Sequence, residues 1–464
     1  MHLAAFLSSV FITETLATTA AVVNFANNTG APEHLASGTL YGLPENGNQI
    51  PDEFFRDIGW RYERAGGAQL PAPALGWIWG LTNYKNRFKS ALSNYQTTLK
   101  HGGQFVFLIH DLWGADGTQN SSAPYPGDDG DWTSWDSYLA TLFSDMTANG
   151  MTKDIIVDIW NEPDGAGFWA RTQEQYLEMW GRTYYKFRAN IILFRGSAEF
   201  GTKVLLSGPA SAGEPLNNSW FANWCSYISR NGSIPDQYAW HMEGGGGDLL
   251  SAHAGLLGYL EEYNLPTRTI NINEYGVFKE QVPSGSAWWI AQLERINAFG
   301  LRGNWLSGYQ LHDFMASLIG KPDSLSNYSA TSTSYFPVGD YQVYKYYNLN
   351  MTGSRYGTTP SSDLALDVYA TADRGLARVL VGVRVKTGTW ELTLDNLTSL
   401  GLAASGSLDV HTYGFPAVEQ YQQWAEVNSP IDLGWYSHPY SDGSVTFPVN
   451  QVTTDTAFAF EFAY

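Results

Sequence analysis

From about Ser37 to Asn348, short apolar runs alternate with longer amphipathic stretches. The runs FVFLI, DIIVDIW and KVLLS are apolar at consecutive positions, not at every second one. That is the pattern of parallel strands covered on both faces. It predicts strands at Ser37–Leu43, Trp60–Arg64, Gln104–His110, Asp154–Trp160, Lys203–Gly208, Gln237–Met242, Thr269–Asn273 and Gly303–Leu311. The stretches between them predict helices at Asn83–Lys100, Trp132–Asn149, Gln173–Phe194, Trp220–Arg230, Leu249–Tyr263 and Ser286–Phe299, with Tyr341–Leu349 as the last. Eight strands alternating with helices suggest an α/β fold of the (β/α)8 TIM barrel type. A doubly wound open sheet uses the same alternation, but no Gly-x-Gly-x-x-Gly loop follows the first strand, which counts against a dinucleotide-binding version.

After about Thr352 the pattern changes. Short β-rich runs at Leu364–Ala370, Leu376–Val385, Trp390–Leu394, Ser407–Tyr413, Val445–Val449 and Ala457–Phe462 are separated by Gly, Asp, Asn and Ser. Helical periodicity is absent, and the spacing predicts a C-terminal antiparallel β-sandwich. The expected organisation is a catalytic barrel over 21–350 and a sandwich over 351–464, joined by a strand near 20–26. The first twenty residues, MHLAAFLSSVFITETLATTA, resemble a secretory signal peptide. They hold an apolar run from Leu3 to Ile12 and then small residues, though no Lys or Arg precedes the run and Glu14 follows it. No later run reaches the roughly 18 apolar residues of a transmembrane helix.

Composition narrows the function classes. Hydrophobic residues make up 44% of the 464 and charged residues only 15%, which excludes a disordered chain. A net charge of −19 would repel phosphate backbones and anionic lipid, so neither nucleic acid nor membrane is an expected partner. Aromatic residues reach 15%, enough to fill the cores and still leave flat faces on which sugar rings can stack. Asn-x-Ser/Thr sequons at Asn27, Asn120, Asn217, Asn231, Asn327, Asn350 and Asn396 point to export and N-glycosylation. Cys225 is the only cysteine; it allows no internal disulfide and reads as a small buried hydrophobe. Nothing in the chain indicates an oligomeric state.

The sharpest local signal is Asp158-Ile159-Trp160-Asn161-Glu162-Pro163. Glu162 ends an apolar strand that Pro163 stops, and carboxyl-terminal strand ends line the active site of a parallel barrel. Apolar neighbours there would raise the carboxyl pKa, as a general acid requires. The second signal, Asn271-Ile272-Asn273-Glu274-Tyr275-Gly276, ends the predicted seventh strand. Two such carboxylates about 5–5.5 Å apart would serve retaining glycoside hydrolysis, one as nucleophile and the other as acid and then base. His110, with Asp111 and Trp113, ends the third strand and is a candidate for the cleft, as is Glu243 after the sixth. His312 followed by Asp313 lacks a spaced ligand set, so no metal site is expected. No Gly-x-Ser-x-Gly elbow, His-Glu-x-x-His or P-loop is present, and no cofactor is implied.

Trp-Asn-Glu-Pro on the fourth strand and a Glu ending the seventh resemble the retaining glycosidases of clan A. Within that clan, WNEPDGAGFWARTQEQYLEMW is similar to glycoside hydrolase family 39, which also pairs a barrel with a β-sandwich. The resemblance implies that Glu162 is the acid/base and Glu274 the nucleophile, and that Asn161 binds the sugar 2-hydroxyl. It implies an Arg near the end of the second strand that steadies the nucleophile; the following Gly-Gly turn favours Arg64 over Arg61. It further implies a ring at His241 touching the nucleophile, a Trp169 that opens the helix after the acid/base loop, and an aromatic floor from the eighth strand, where Trp305 and Tyr309 are the candidates. Tyr275 is included beside Glu274. The expected function is a secreted retaining O-glycosidase acting on a neutral plant or microbial polysaccharide or its side chains. A transglycosylase of the same clan, or a carbohydrate-binding protein on the same barrel, are the alternatives.

Overall fold

The computed structural model describes residues 20–67, 75–114, 122–194, 204–244, 247–306, 308–322, 327–418 and 425–464. The segment read as a signal peptide lies, but for its last residue, outside them.

Eight parallel strands close into a barrel: Gly38–Leu40, Tyr62–Ala65, Gln104–Leu108, Ile155–Asp158, Leu205–Ser211, Gln237–Met242, Thr269–Tyr275 and Ala298–Arg302. They are called the first to eighth strands below. Tyr62, Val106, Ile156, Phe299 and Leu301 plug the lower interior, with Tyr62 stacked on Phe299 at 4.3 Å. The upper interior is polar and holds Arg64, Asp158, Asn271 and Asn273, all fully buried.

The helices between strands begin and end where their caps dictate. Asn218 accepts a bond from the Phe221 N–H at the start of Ser219–Asn231, and Gly232 closes that helix in the left-handed conformation. Asp248 likewise caps Leu249–Glu262 by accepting from the Ser251 N–H. Such caps satisfy backbone groups that the helix itself leaves open.

The eighth strand is not where the sequence pattern puts it. The predicted helix Ser286–Phe299 ends at Ile296 because Asn297 takes a left-handed conformation, φ 55°. The strand Ala298–Arg302 follows at once. The described residues of the run from Gly303 to Leu311, read as the strand, belong instead to a connection, with a 3-10 turn over Gly308–His312. An apolar run abutting a helix without a loop has no period of its own to betray it.

Nine further strands form one sheet, in the order Ile431–Tyr440, Gly406–Phe415, Ala457–Ala463, Leu376–Val383, Leu366–Asp373, Ser354–Thr359, Ala20–Gly30, Gly388–Asp395 and Val445–Gln451. All described pairings are antiparallel except that of Ala20–Asn24 with Glu391–Asp395. Phe447 meets Phe460 at 5.3 Å and Phe25 meets Phe462 at 5.8 Å, although their strands are not neighbours. The sheet therefore folds over on itself around an apolar core.

The helix Pro283–Ile296 lies between barrel and sheet and is buried from Pro283 to Glu294. Gly382 allows the contact, because a Cβ there would come within 2.3 Å of the Ser284 carbonyl oxygen. Buried charges pin it. Arg295 and Gln292 both bond Asp367 of the sheet, and Arg355 bonds Glu294 at 2.9 Å. Removing one member of such a pair strands the other. Asp367→Ala is therefore expected to lower unfolding stability by about 3 kcal/mol, measured by urea denaturation at neutral pH.

Candidate active site

Glu162 and Glu274 come together at the carboxyl ends of the fourth and seventh strands. One oxygen of each, with a ring nitrogen of His241, lies within 4.8 Å of the others. They line a cavity of about 570 Å³.

Local backbone irregularities aim both side chains inward. Glu162 sits at φ 42°, costly for a residue with a Cβ and typical of constrained sites. Its N–H is tied to the Ala210 carbonyl at 2.8 Å. On the seventh strand the pairing slips between Ile272 and Tyr275 on one side, and at Trp240/His241 on the other. The extra residue is a bulge, and a bulge reverses which face the following side chains occupy. Asn273 and Glu274 consequently both reach the interior, and Tyr275 turns out.

Arg64 organises what lies beneath. Its Nη1 is 2.5 Å from Glu274 Oε1, its Nε is 2.9 Å from Asp158 Oδ2, and its Nη2 is 2.7 Å from Asn161 Oδ1. Asn273 donates to the same Asp158 oxygen at 2.7 Å. Arg61 points outward and bonds the Glu33 carbonyl, so it plays no part.

His241 bridges the two carboxylates. Its Nδ1 is 2.9 Å from Glu162 Oε1 and its Nε2 is 3.6 Å from Glu274 Oε1. Burial pushes the imidazole pKa down, but the Glu274 charge and the bond to Glu162 push it up further, above its ordinary value. The effect on Glu162 is opposite to the one expected from its apolar neighbours. Burial pushes its carboxyl up, yet the hydrogen bond and charge of His241, with Arg64 behind, bring it below its ordinary value. Glu162, His241 and Glu274 have the donor spacing a metal ion could use. The Arg64 guanidinium already on Glu274 would oppose a second cation there.

The opposite wall is a second polar cluster. His110 Nε2 lies 2.7 Å from Asp111 Oδ1, Arg87 stands 3.4 Å from Asp111 Oδ2, and the Tyr41 hydroxyl also donates to Asp111. Burial would raise the Asp111 carboxyl, but His110 and Arg87 hold it far below the usual range. His312 packs edge-on against Tyr41. Burial, with Arg87 nearby, pushes its imidazole down to about 3.

Of the residues singled out from sequence, Asn161, His110, His241, Glu243 and Trp305 line the cavity, and Arg64 supports it from below. Three do not belong there. Trp113 closes a one-turn helix, Ile109–Trp113, that swings it onto Trp135 and Tyr138 in the core. Trp169 packs on Trp160, Tyr125 and Tyr176, and its neighbour Phe168 faces the cavity instead. Tyr275, turned out by the bulge, bonds the Ala36 carbonyl and Tyr344. Tyr309 lies in the 3-10 turn, and its side chain is outside the described structure. Asp313 is held by Lys321, Tyr328 and Tyr335 in a loop anchor.

Sequence reasoning missed Tyr41 and Asn304, which also line the cavity. Tyr41 follows the first strand at φ 52°, and a Tyr-Gly after an apolar run was the available signal. Asn304 was hidden by the misplaced eighth strand. Among the sequons, Asn27, Asn217, Asn231 and Asn327 are exposed, while Asn350 and Asn396 are half-buried; Asn120 lies outside the described residues.

No protein-family model matches the chain, and no curated protein matches it in sequence. Solved structures do match it. N2152 from Neocallimastix frontalis gives a TM-score of 0.71 at 18% identity, over 96% of this chain and 99% of that one. A GH39 enzyme from Xanthomonas axonopodis pv. citri gives 0.56 at 11% identity, over 96% and 97%. A monomeric β-xylosidase from Caulobacter crescentus gives 0.55 at 14% identity, over 96% and 99%. At these identities the likeness is one of fold, and it spans both the barrel and the β domain. The fold is the one these structures share, the GH39 enzyme and the β-xylosidase among them, as the motifs led one to expect.

Arg64→Lys keeps the charge but cannot bond Glu274, Asp158 and Asn161 together. Turnover of any substrate of this cavity is expected to fall about a hundredfold or more, with thermal unfolding measured alongside to separate lost geometry from lost fold.

Proposed function

We propose that this protein is a retaining glycoside hydrolase. Glu274 attacks the anomeric carbon, and Glu162 first protonates the leaving oxygen and then activates water. The observation that carries the reading is the pair of carboxyl oxygens within 4.8 Å at the mouth of a parallel barrel. That approach of the nearest oxygens is compatible with the roughly 5–5.5 Å carboxyl separation of a retaining pair.

The surroundings favour this division of roles. Arg64 fixes the orientation of Glu274. Glu162 instead shares a proton with His241. As Glu274 bonds to the anomeric carbon it loses its charge, and the imidazolium loses its main support. The proton then passes through Glu162 to the leaving oxygen. In the second half, water gives its proton to Glu162 as it attacks the ester, and Glu274 departs as a carboxylate. Arg64 occupies the Asn161 carbonyl oxygen, which leaves the amide N–H groups for the sugar 2-hydroxyl. The half-exposed Trp305 ring, anchored through its Nε1 to the Gly276 carbonyl, supplies a floor for the sugar.

The substrate class follows from charge. Among the described residues no Lys or Arg lines the cavity, so a uronic acid would find no ammonium or guanidinium group for its carboxylate. A neutral glycoside fits, and the β-xylosidase among the structural neighbours agrees with a neutral sugar. We place the protein outside the cell on the strength of its leader-like first residues and exposed sequon asparagines. Asn396 is the sequon least suited to a glycan, since its amide already donates to Asn24 and Asp395.

The decisive experiment is a screen of aryl glycosides and natural polysaccharides, with the product anomer followed by NMR. Retention is expected, and Glu274→Gly should abolish turnover while sugar binding persists. Turnover by that variant, or an inverted product, would refute the assignment. His241 yields a separate expectation. Because its pKa is raised, its proton is present below pH 6.5 and is lost as pH rises through that higher value. The alkaline limb of kcat/KM should therefore lie above pH 6.5, and His241→Gln should move it and slow poor leaving groups more than good ones.

A further inference from the structure

The cavity holds a third carboxyl group that double displacement does not require. Glu243 stands two residues beyond His241 and lines the cavity with Glu162 and Glu274. Its carboxyl faces that of Glu274. Two ionised carboxylates have no donor to offer each other, so a proton on one of them would relieve their repulsion and supply a hydrogen bond.

Three observations put that proton on Glu243. Arg64, the guanidinium in this corner, is committed to Glu274, Asp158 and Asn161, and His241 is bonded to Glu162. Glu243 Oε1 is buried with no hydrogen-bond partner among the described residues, a place where an ionised oxygen would be costly. The charges facing it are those of Glu274 and Glu162, with Arg64 the weaker opposing influence. Burial, then the Glu274 charge and the bond to Glu274, push its carboxyl well above the ordinary range. Gly303 on the adjoining loop reserves the space, since a Cβ there would stand 1.9 Å from Oε1.

We propose that Glu243 is a positioning residue: a carboxylic acid that holds its proton on Glu274, aims that side chain at the anomeric carbon, and stabilises it as it leaves. This rests on Glu274 being the nucleophile. A hydrogen bond to the Glu274 oxygen favours the free carboxylate over the glycosyl ester. It therefore assists breakdown of the intermediate more than its formation. No proton is transferred overall; the O–H stays on Glu243 throughout, and the bond strengthens as negative charge returns to Glu274.

The proton can be observed without substrate. In protein labelled with 13C at the glutamate Cδ, the resonance lost in Glu243→Gln should remain that of an acid above pH 7. In Glu274→Gln its midpoint should fall by about one pH unit or more. A Glu243 that titrates with the ordinary carboxylates, and is indifferent to Glu274→Gln, overturns the proposal.

Kinetics test the role, using 2,4-dinitrophenyl β-D-xylopyranoside, whose leaving group needs no proton. With this probe kcat reports ester breakdown and kcat/KM reports ester formation. Glu243→Ala should lower kcat by about tenfold to a hundredfold and kcat/KM by less, and Glu243→Gln, which keeps a donor, should recover most of the loss. Gly303→Ala should reproduce the Glu243→Ala defect by displacing the carboxyl, and should add nothing in the double variant. A fall confined to kcat/KM, or no recovery with Gln, overturns the positioning role. If the xyloside is not turned over at all, the sugar or the glycosidase reading fails instead, and the NMR titration still decides where the proton lies.

Discussion

Arg64 is buried inside the upper barrel, where an unpaired guanidinium would cost several kcal/mol. Every polar group around it is arranged to meet that demand. Asp158 comes from the fourth strand, Asn161 from the loop after it, and Glu274 from the seventh. Because the fork of a guanidinium is rigid, it sets the angles of all three at once. The cation thus specifies where two strands on opposite sides of the barrel must end relative to each other. The cavity above inherits its geometry from that requirement.

The same cation sets the charge pattern. With Glu274 held by Arg64, the imidazole of His241 is left to link Glu162 to its neighbour, and Glu243 is left without a counter-charge of its own. Three carboxyl groups within one cavity cannot all be ionised beside so few cations. Glu162 is drawn below its ordinary range and Glu243 is pushed above it, each by what it touches.

Much of this was legible in the sequence. Strand runs apolar at consecutive positions announced a parallel sheet, and seven of eight strands lay close to where those runs fell. Glu162 was marked by Trp160, Asn161 and Pro163, and Glu274 by a Gly turn after an apolar strand. What escaped reading has a common cause: local irregularity that breaks a period. The bulge near Asn273 exchanged the faces of Glu274 and Tyr275. The left-handed Asn297 ended a helix early and let the eighth strand start without a loop. A one-turn helix carried Trp113 from the cleft to the core. Composition could not distinguish Phe168 from Trp169, since either ring could serve as core or wall. The His241 link to Glu162 was equally hidden, because it depends on two strand ends meeting across the barrel.

The strand Ala20–Gly30 belongs to the folded-over sheet and not to the barrel that follows it. Thr29 and Arg355, which bond each other in that sheet, are 326 residues apart. In topological terms the barrel is an insertion into a β domain. In a chain made from its N-terminus this strand precedes the barrel, and its partners, Ser354–Thr359 and Gly388–Asp395, are made only after it. An unpaired edge of that kind is open to mispairing with other chains. The order of synthesis therefore places the closing of this part of the sheet after the whole barrel has been made.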